Sequence, residues 1–250
     1  IDYVYRENYK LSSIPLWCPV AYCEQSILDL LGRVANKPVG ALLGGMIRPA
    51  IPVYLSGSAR VLTAEEEVDI YVRGFAETGS KAVKFHMGGR MSRNVDTYPG
   101  RSEILLTRAR EKLGADAILM ADANGSYDVP NAIRIGKLLE SLNYAFYEEP
   151  CPFEELGETI EVAKALKIPI AAGEWQNTHW EFLDLADQGK LDVLQPDVGR
   201  VGGFSEAIKV CRIAEQRGRR IVPHCWKSAI GIAASAHLAA LNAEFKTTLW

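Results

Sequence analysis

The sequence predicts an α/β protein built as a parallel (β/α) barrel, and three observations carry that expectation. From about residue 52 a short apolar run is followed by a helix-length amphipathic stretch, and the pair recurs with no long linker. The 250 residues suit a closed barrel better than an open sheet. Polar residues of a few types follow the apolar runs at a regular interval, where barrel chemistry resides. Apolar residues make 48% and charged residues 24% of the chain, a balance that buries a core and excludes disorder.

Residues 1–50 differ from the remainder of the chain. Glu24 to Ala35 reads as a helix with Ile27, Leu28, Leu31 and Val34 on one side. Lys37-Pro38 breaks it, and Ala41-Leu42-Leu43-Gly44-Gly45 forms a short apolar turn. This segment is expected to be the remnant of a separate module with a linker helix, leading into a barrel over residues 51–250.

Seven apolar runs then read as buried strands: 52–55, 82–85, 117–120, 144–147, 168–171, 191–194 and 220–223. An eighth strand is placed in Glu244 to Trp250. The stretches between them carry helical stripes. Thr63 with Glu66 three residues on forms a capping box ahead of Val68, Tyr71, Val72 and Phe75. Ile104, Leu105, Ala109 and Leu113 make the next stripe, and Ile133, Ile135, Leu138 and Leu142 the one after.

Several function classes fall away. The net charge of −3 gives no basic surface for nucleic acid. No run of 18 apolar residues exists to span a membrane, and no basic segment at the start leads into an apolar one as in a signal peptide. The five cysteines are scattered without a CxxC pair, which points to a reducing, cytoplasmic setting.

The residues that end the runs carry the chemistry. They are Lys84-Phe85-His86, Asp122-Ala123-Asn124, Glu148-Glu149-Pro150, Gly173-Glu174, Gln195-Pro196-Asp197 and His224. From Asp122 onward the steps are 26, 26, 23 and 27 residues, one strand–helix unit each. Carboxylates on three successive strand ends converge and raise one another's pKa unless a cation joins them, and oxygen ligands suit Mg²⁺. A single acid after a strand is usually a helix cap, but that explains three matching positions poorly. His179 and His237 fall inside helical stretches and read as structural. His224 follows a buried strand directly, and an Asp197 beside it would fix its tautomer and make a general base.

The ordered set Lys-x-His, Asp-x-Asn, Glu-Glu-Pro, Gly-Glu, Pro-Asp and His resembles the enolase superfamily, in its mandelate racemase subgroup. The similarity runs from about Ser26 to Ala240 and includes Leu42-Leu43-Gly44-Gly45 and Arg200-Val201-Gly202-Gly203. The resemblance implies a modified (β/α)7β barrel with an α+β capping domain, of which residues 1–50 hold a remnant. It implies Mg²⁺ as cofactor and removal of the proton α to a carboxylate, with the metal and a lysine stabilising the enediolate. Asp122, Glu148 and Glu174 match the metal ligands, Asp197 and His224 the acid/base dyad, and Lys84 the lysine on the substrate carboxylate. Asn124, Trp175 and Trp226 are candidate substrate contacts. A small-molecule carboxylate is the implied partner, without nucleic acid or membrane, and members are often symmetric homo-oligomers.

The chain departs from the family pattern in two ways. His86 stands where the family has a second lysine, as a second acid/base or a pocket wall, and most of the capping domain is absent. The first departure weakens a symmetric two-base racemase. The expected activity is therefore a Mg²⁺-dependent hydro-lyase acting on a sugar acid. A racemase or epimerase of a 2-hydroxy acid is the alternative on the same scaffold, and a non-catalytic binding barrel or a Schiff-base lyase through Lys84 are the others.

Overall fold

The structure is a computed structural model. It describes residues 1–241 except 9, 12, 46, 47, 49, 58, 59, 190, 226 and 227. The expected eighth strand at Glu244–Trp250 and the candidate Trp226 lie outside the described residues. The chain divides into two compact units. One holds Val53–Ala172 and Gly189–Asp192, and the other holds Ile1–Pro52, Gly173–Gln188 and the chain from Val193 onward.

The chain opens with helices α1 (Asp2–Glu7), α2 (Ile14–Ala35) and the single turn α3 (Val39–Leu42). Helix α2 starts at Ile14 rather than at the expected Glu24. Pro15 lies in its first turn, where a missing N–H costs nothing. The helix ends as expected: Asn36 is left-handed, and the Lys37 N–H donates to the Gly32 carbonyl just before Pro38. Its buried side is Leu16, Trp17, Cys18 and Ala21, whereas Ile27, Leu31 and Val34 of the expected stripe are exposed.

The middle unit alternates strand and helix: β1 (Leu55–Ser56), α4 (Ala64–Thr78), β2 (Ala82–His86), α5 (Arg101–Leu113), β3 (Ile118–Asp122), α6 (Val129–Ser141), β4 (Tyr147–Glu148), α7 (Leu156–Ala165) and β5 (Ile170–Ala172). Strands β1 to β5 pair in chain order, each parallel to the next. Val83, Phe85, Leu119 and Ala121 are wholly buried, as expected of strands covered on both faces. The capping box starts α4 as expected: the Thr63 hydroxyl accepts from the Glu66 N–H, and the Glu66 carboxylate accepts from the Thr63 N–H. Asp128 caps α6 through the Asn131 N–H. Where the chain enters β3, Arg110 donates to the carbonyls of Gly114, Ala115, Ala117, Leu142 and Asn143.

The chain continues with α8 (Thr178–Asp187), β6 (Val193–Leu194), α9 (Phe204–Gln216), β7 (Arg220–Ile221) and α10 (Ala229–Leu241). Strands β6 and β7 pair in parallel. Helix α2 packs against the start of α9, where the Glu24 carboxylate accepts from the Ser205 N–H and hydroxyl. Gly203 has φ +95°, a backbone that favours glycine, and a Cβ there would displace the Glu24 carboxylate.

Candidate active site

The middle unit gathers four of the expected residues at the strand ends. Register sets His86 opposite Asp122 and Asp122 opposite Glu148. Lys84 precedes His86 by two residues and so shares its face. Its Nζ lies 2.7 Å from Glu148 Oε2 and 3.1 Å from Asp122 Oδ2, with all three side chains buried. Burial alone would lower the Lys84 ammonium, but Glu148 and Asp122 outweigh it and hold its pKa well above the ordinary value. Burial likewise works against the Asp122 carboxylate, and Lys84 and His86 override it to hold that carboxyl far below the usual range.

His86 has an acceptor at each ring nitrogen. Nε2 is 3.1 Å from Asp122 Oδ2, and Nδ1 meets the Gly57 carbonyl just past β1.

Asn124 stands beside this cluster with φ +43°. Its N–H donates to Asp122 Oδ1 at 2.9 Å. Its side-chain oxygen accepts from Arg60 Nη2 at 2.6 Å, while Arg60 Nε donates to the Gly88 carbonyl at 2.9 Å. Burial lowers the Arg60 pKa against the opposing pull of Asp122. Arg101, fully buried, pairs with Glu67 and donates to the Leu62 carbonyl, which fastens α5 to the start of α4.

The other unit holds Glu174, Trp175, Asp197 and His224. Glu174 follows Gly173, whose φ of +133° and missing Cβ make room for the Phe182 ring and the Gln195 N–H. Asp197 and His224 face each other across an isolated parallel bridge beyond β6 and β7. His224 Nδ1 is 2.9 Å from Asp197 Oδ2, and its Nε2 is 3.2 Å from Glu174 Oε2. The second Asp197 oxygen accepts from the Gly199 N–H at 2.7 Å. That bond and the dyad together fix the carboxylate. Trp175 carries the Arg200 guanidinium over its ring, and Arg200 Nη1 also donates to the Glu174 carbonyl at 3.3 Å.

The residues fit Mg²⁺. Asp122, Glu148 and Glu174 are each buried and offer hard oxygen donors. In the middle unit two buried carboxylates face a single lysine, an excess of negative charge that a cation offsets.

Two residues escape sequence reasoning. Arg60 lies in the loop after β1, beyond the apolar run that ends at Leu55, and no spacing marks it. Arg200 stands in a motif whose signal is its glycines, and nothing in spacing links it to Trp175. His179 and His237 do serve structure: His179 Nδ1 is 2.6 Å from the buried Glu206, and His237 Nδ1 accepts from the Gly40 N–H.

The arrangement of parallel strands with acids at their ends has close parallels. The enolase C-terminal domain-like family model matches residues 67–249, and the chain belongs to that family. Its fold class is the expected one, an α/β barrel of the modified (β/α)7β type. Arabinonate dehydratase of Saccharolobus solfataricus is 29% identical over 96% of this chain and 64% of its own length. D-galactonate dehydratase of Cronobacter sakazakii is 30% identical over 94% of this chain and 61% of its own. A mandelate racemase/muconate lactonizing protein from Paracoccus denitrificans, solved with magnesium, aligns with a TM-score of 0.91 and 30% identity over 99% of this chain and 66% of its own. The chain thus spans somewhat less than two thirds of these relatives. Among the described residues no helix is long and apolar enough to cross a membrane.

Proposed function

We propose that this chain carries the catalytic part of a Mg²⁺-dependent hydro-lyase that removes water from a sugar acid. The observation that carries the reading is the Asp197–His224 pair, a histidine with its Nδ1 held by a buried carboxylate and its Nε2 turned toward the Glu174 carboxylate, 3.2 Å away. The dehydratase relatives support the same class of reaction.

Asp122 and Glu148 would hold the metal with Glu174 as the third oxygen ligand. Bound there, Mg²⁺ supplies positive charge to the substrate carboxylate and so acidifies the carbon next to it. Lys84 adds an ammonium on the same side and steadies charge that moves onto the carboxylate oxygens. His224 Nε2 takes the α-proton, and the C–H electron pair becomes the new C=C bond as the β-hydroxyl departs. The imidazolium, held charged by Asp197, returns its proton to the leaving hydroxide as water. The enol product then tautomerises to a 3-deoxy-2-keto acid. Asn124 and Trp175 line this region as substrate contacts or supports.

Elimination is favoured over a two-base exchange by His86. Its Nδ1 meets a neutral backbone carbonyl, Gly57, whereas His224 has a carboxylate at that atom to hold an imidazolium. The test is proton NMR in deuterated water on the full-length protein with Mg²⁺ and a pool of aldonic and aldaric acids. A Mg²⁺-dependent 3-deoxy product, lost with chelator, supports the reading. Washout of the α-proton without elimination replaces it with an isomerase.

A further inference from the structure

We propose that Asn94, on the loop between β2 and α5, is a positioning residue for Asp122. Its side chain clasps Asp128 and so holds the loop that pairs with the chain just past that carboxylate. The inference rests on the proposed metal role of Asp122 and names a support for it that lies outside the strand ends.

Past β3 the chain is no longer a regular strand, yet it stays bonded on both sides. On one side the N–H groups of Ala123, Gly125 and Tyr127 donate to the carbonyls of Glu148, Glu149 and Pro150. On the other, the carbonyls of Asp122, Asn124 and Ser126 accept from the N–H groups of Met87, Met91 and Asn94, at 2.9, 3.0 and 2.7 Å. This second set of donors comes from the loop after β2. The segment so held carries Asn124, whose N–H donates to Asp122 Oδ1 at 2.9 Å. The Asp122 carboxylate is therefore aimed by a backbone N–H whose own residue is left-handed, with φ +43°.

The loop needs contacts to keep its shape. Met91, Arg93 and Asn94 have φ +50°, +53° and +72°, a region that non-glycine residues enter at a cost and keep only where their surroundings over-determine it. Asparagine tolerates it best of the three. Its side chain also supplies the contacts. Asn94 Nδ2 donates to Asp128 Oδ2 at 2.8 Å, and Asn94 Oδ1 accepts from the Asp128 N–H at 3.0 Å. Asp128 is itself fixed, because its Oδ1 caps α6 through the Asn131 N–H at 3.0 Å. The pair is exposed, and hydrogen bonds that compete with water add little stability. What the reciprocal pair fixes is register, of loop against segment, and through the segment the direction of the Asn124 N–H.

The experiment is calorimetric Mg²⁺ titration of the full-length protein, beside tryptic cleavage at the exposed Arg93 and thermal unfolding. Asn94→Gly keeps the left-handed backbone and removes only the amide. It should weaken Mg²⁺ binding by about tenfold, the low end of an outer-shell loss. Cleavage at Arg93 should quicken, and the unfolding temperature should stay near wild type. Asn94→Asp sets a carboxylate against Asp128 and should act alike. Adding Asp128→Asn to Asn94→Asp again faces each donor with an acceptor and keeps the α6 cap, so affinity should return to within about twofold of wild type. A merely structural pair would lower the unfolding temperature and leave Mg²⁺ affinity unmoved. Single variants that bind Mg²⁺ as the wild type does, or an exchanged pair that fails to restore binding, overturn the inference and leave the elimination reading intact. A wild type that binds no Mg²⁺ overturns that reading and the inference with it.

Discussion

The Arg200 guanidinium lies 4.1 Å from the centre of the Trp175 ring and reaches past it to the carbonyl of Glu174. The backbone of the same loop donates to Asp197 through Gly199. One loop therefore steadies both the segment bearing Glu174 and the acid behind His224. A cation over an aromatic face contributes about 0.5–2 kcal/mol, enough to hold a loop and too little to hold a fold.

Arg200→Gln should accordingly weaken Mg²⁺ binding by about tenfold, as expected for loss of an outer-shell support. Calorimetry on metal-stripped protein reads this directly, and tryptophan emission should shift as Trp175 loses its cover. Unchanged affinity would make the stack a packing contact.

His224→Asn should leave Mg²⁺ affinity near wild type and remove exchange of the α-proton. The substitution keeps a polar group beside Asp197 but offers nothing basic at the Nε2 position. Solvent-deuterium exchange separates the outcomes, since persistent exchange would move the base elsewhere.

Glu148→Gln should cost metal binding and turnover together. Lys84 keeps Asp122 as a partner, so the fold should survive, with a loss on the order of 1–3 kcal/mol for the altered buried pair. Urea unfolding beside a Mg²⁺ titration gives both numbers. Full activity in the presence of a chelator would refute the role of the metal.

Acid sensitivity should have a source outside the residues of the proposed chemistry. Burial works to raise the Glu206 carboxyl, but Lys209 and His179 override it and hold it below its ordinary value of 4.5. A carboxyl depressed in the folded state adds stability above that ordinary value and surrenders it as pH falls through the folded one. Glu206→Gln should therefore flatten the fall in stability below about pH 4.5. Denaturant midpoints measured from pH 6 to 3 test it, and parallel curves for the two proteins would assign the loss to other groups.

Local signals in the sequence translate into structure most faithfully. The capping box at Thr63 and Glu66 forms as written, because it depends on residues three apart. The helix break at Lys37-Pro38 holds for the same reason. Strand ends shift by a few residues: the fourth strand, expected at 144–147, pairs at Tyr147–Glu148. Apolar runs report burial, whereas pairing depends on the neighbouring strand. The start of α2 escapes the pattern because its early turns bury Trp17 and Cys18 against another part of the chain, which no local periodicity reveals. Lys84, His86, Asp122 and Glu148 are legible because parallel register converts equal spacing in sequence into adjacency. Arg60 and Arg200 reach their partners from loops, where spacing carries no such information.

The grip of Arg110 on five carbonyls has a consequence for how such a protein changes over time. It closes the end of the middle unit where strands begin, and Lys84, His86, Asp122 and Glu148 sit at the end where strands finish. Fastening and chemistry are thus kept at opposite poles. Loops at the chemical pole, including the one bearing Arg60, are free to drift toward new substrates without loosening the other. A lineage built this way can explore acid after acid on one inherited frame, and a designer wishing to redirect it should leave Arg110 alone and randomise at the far pole.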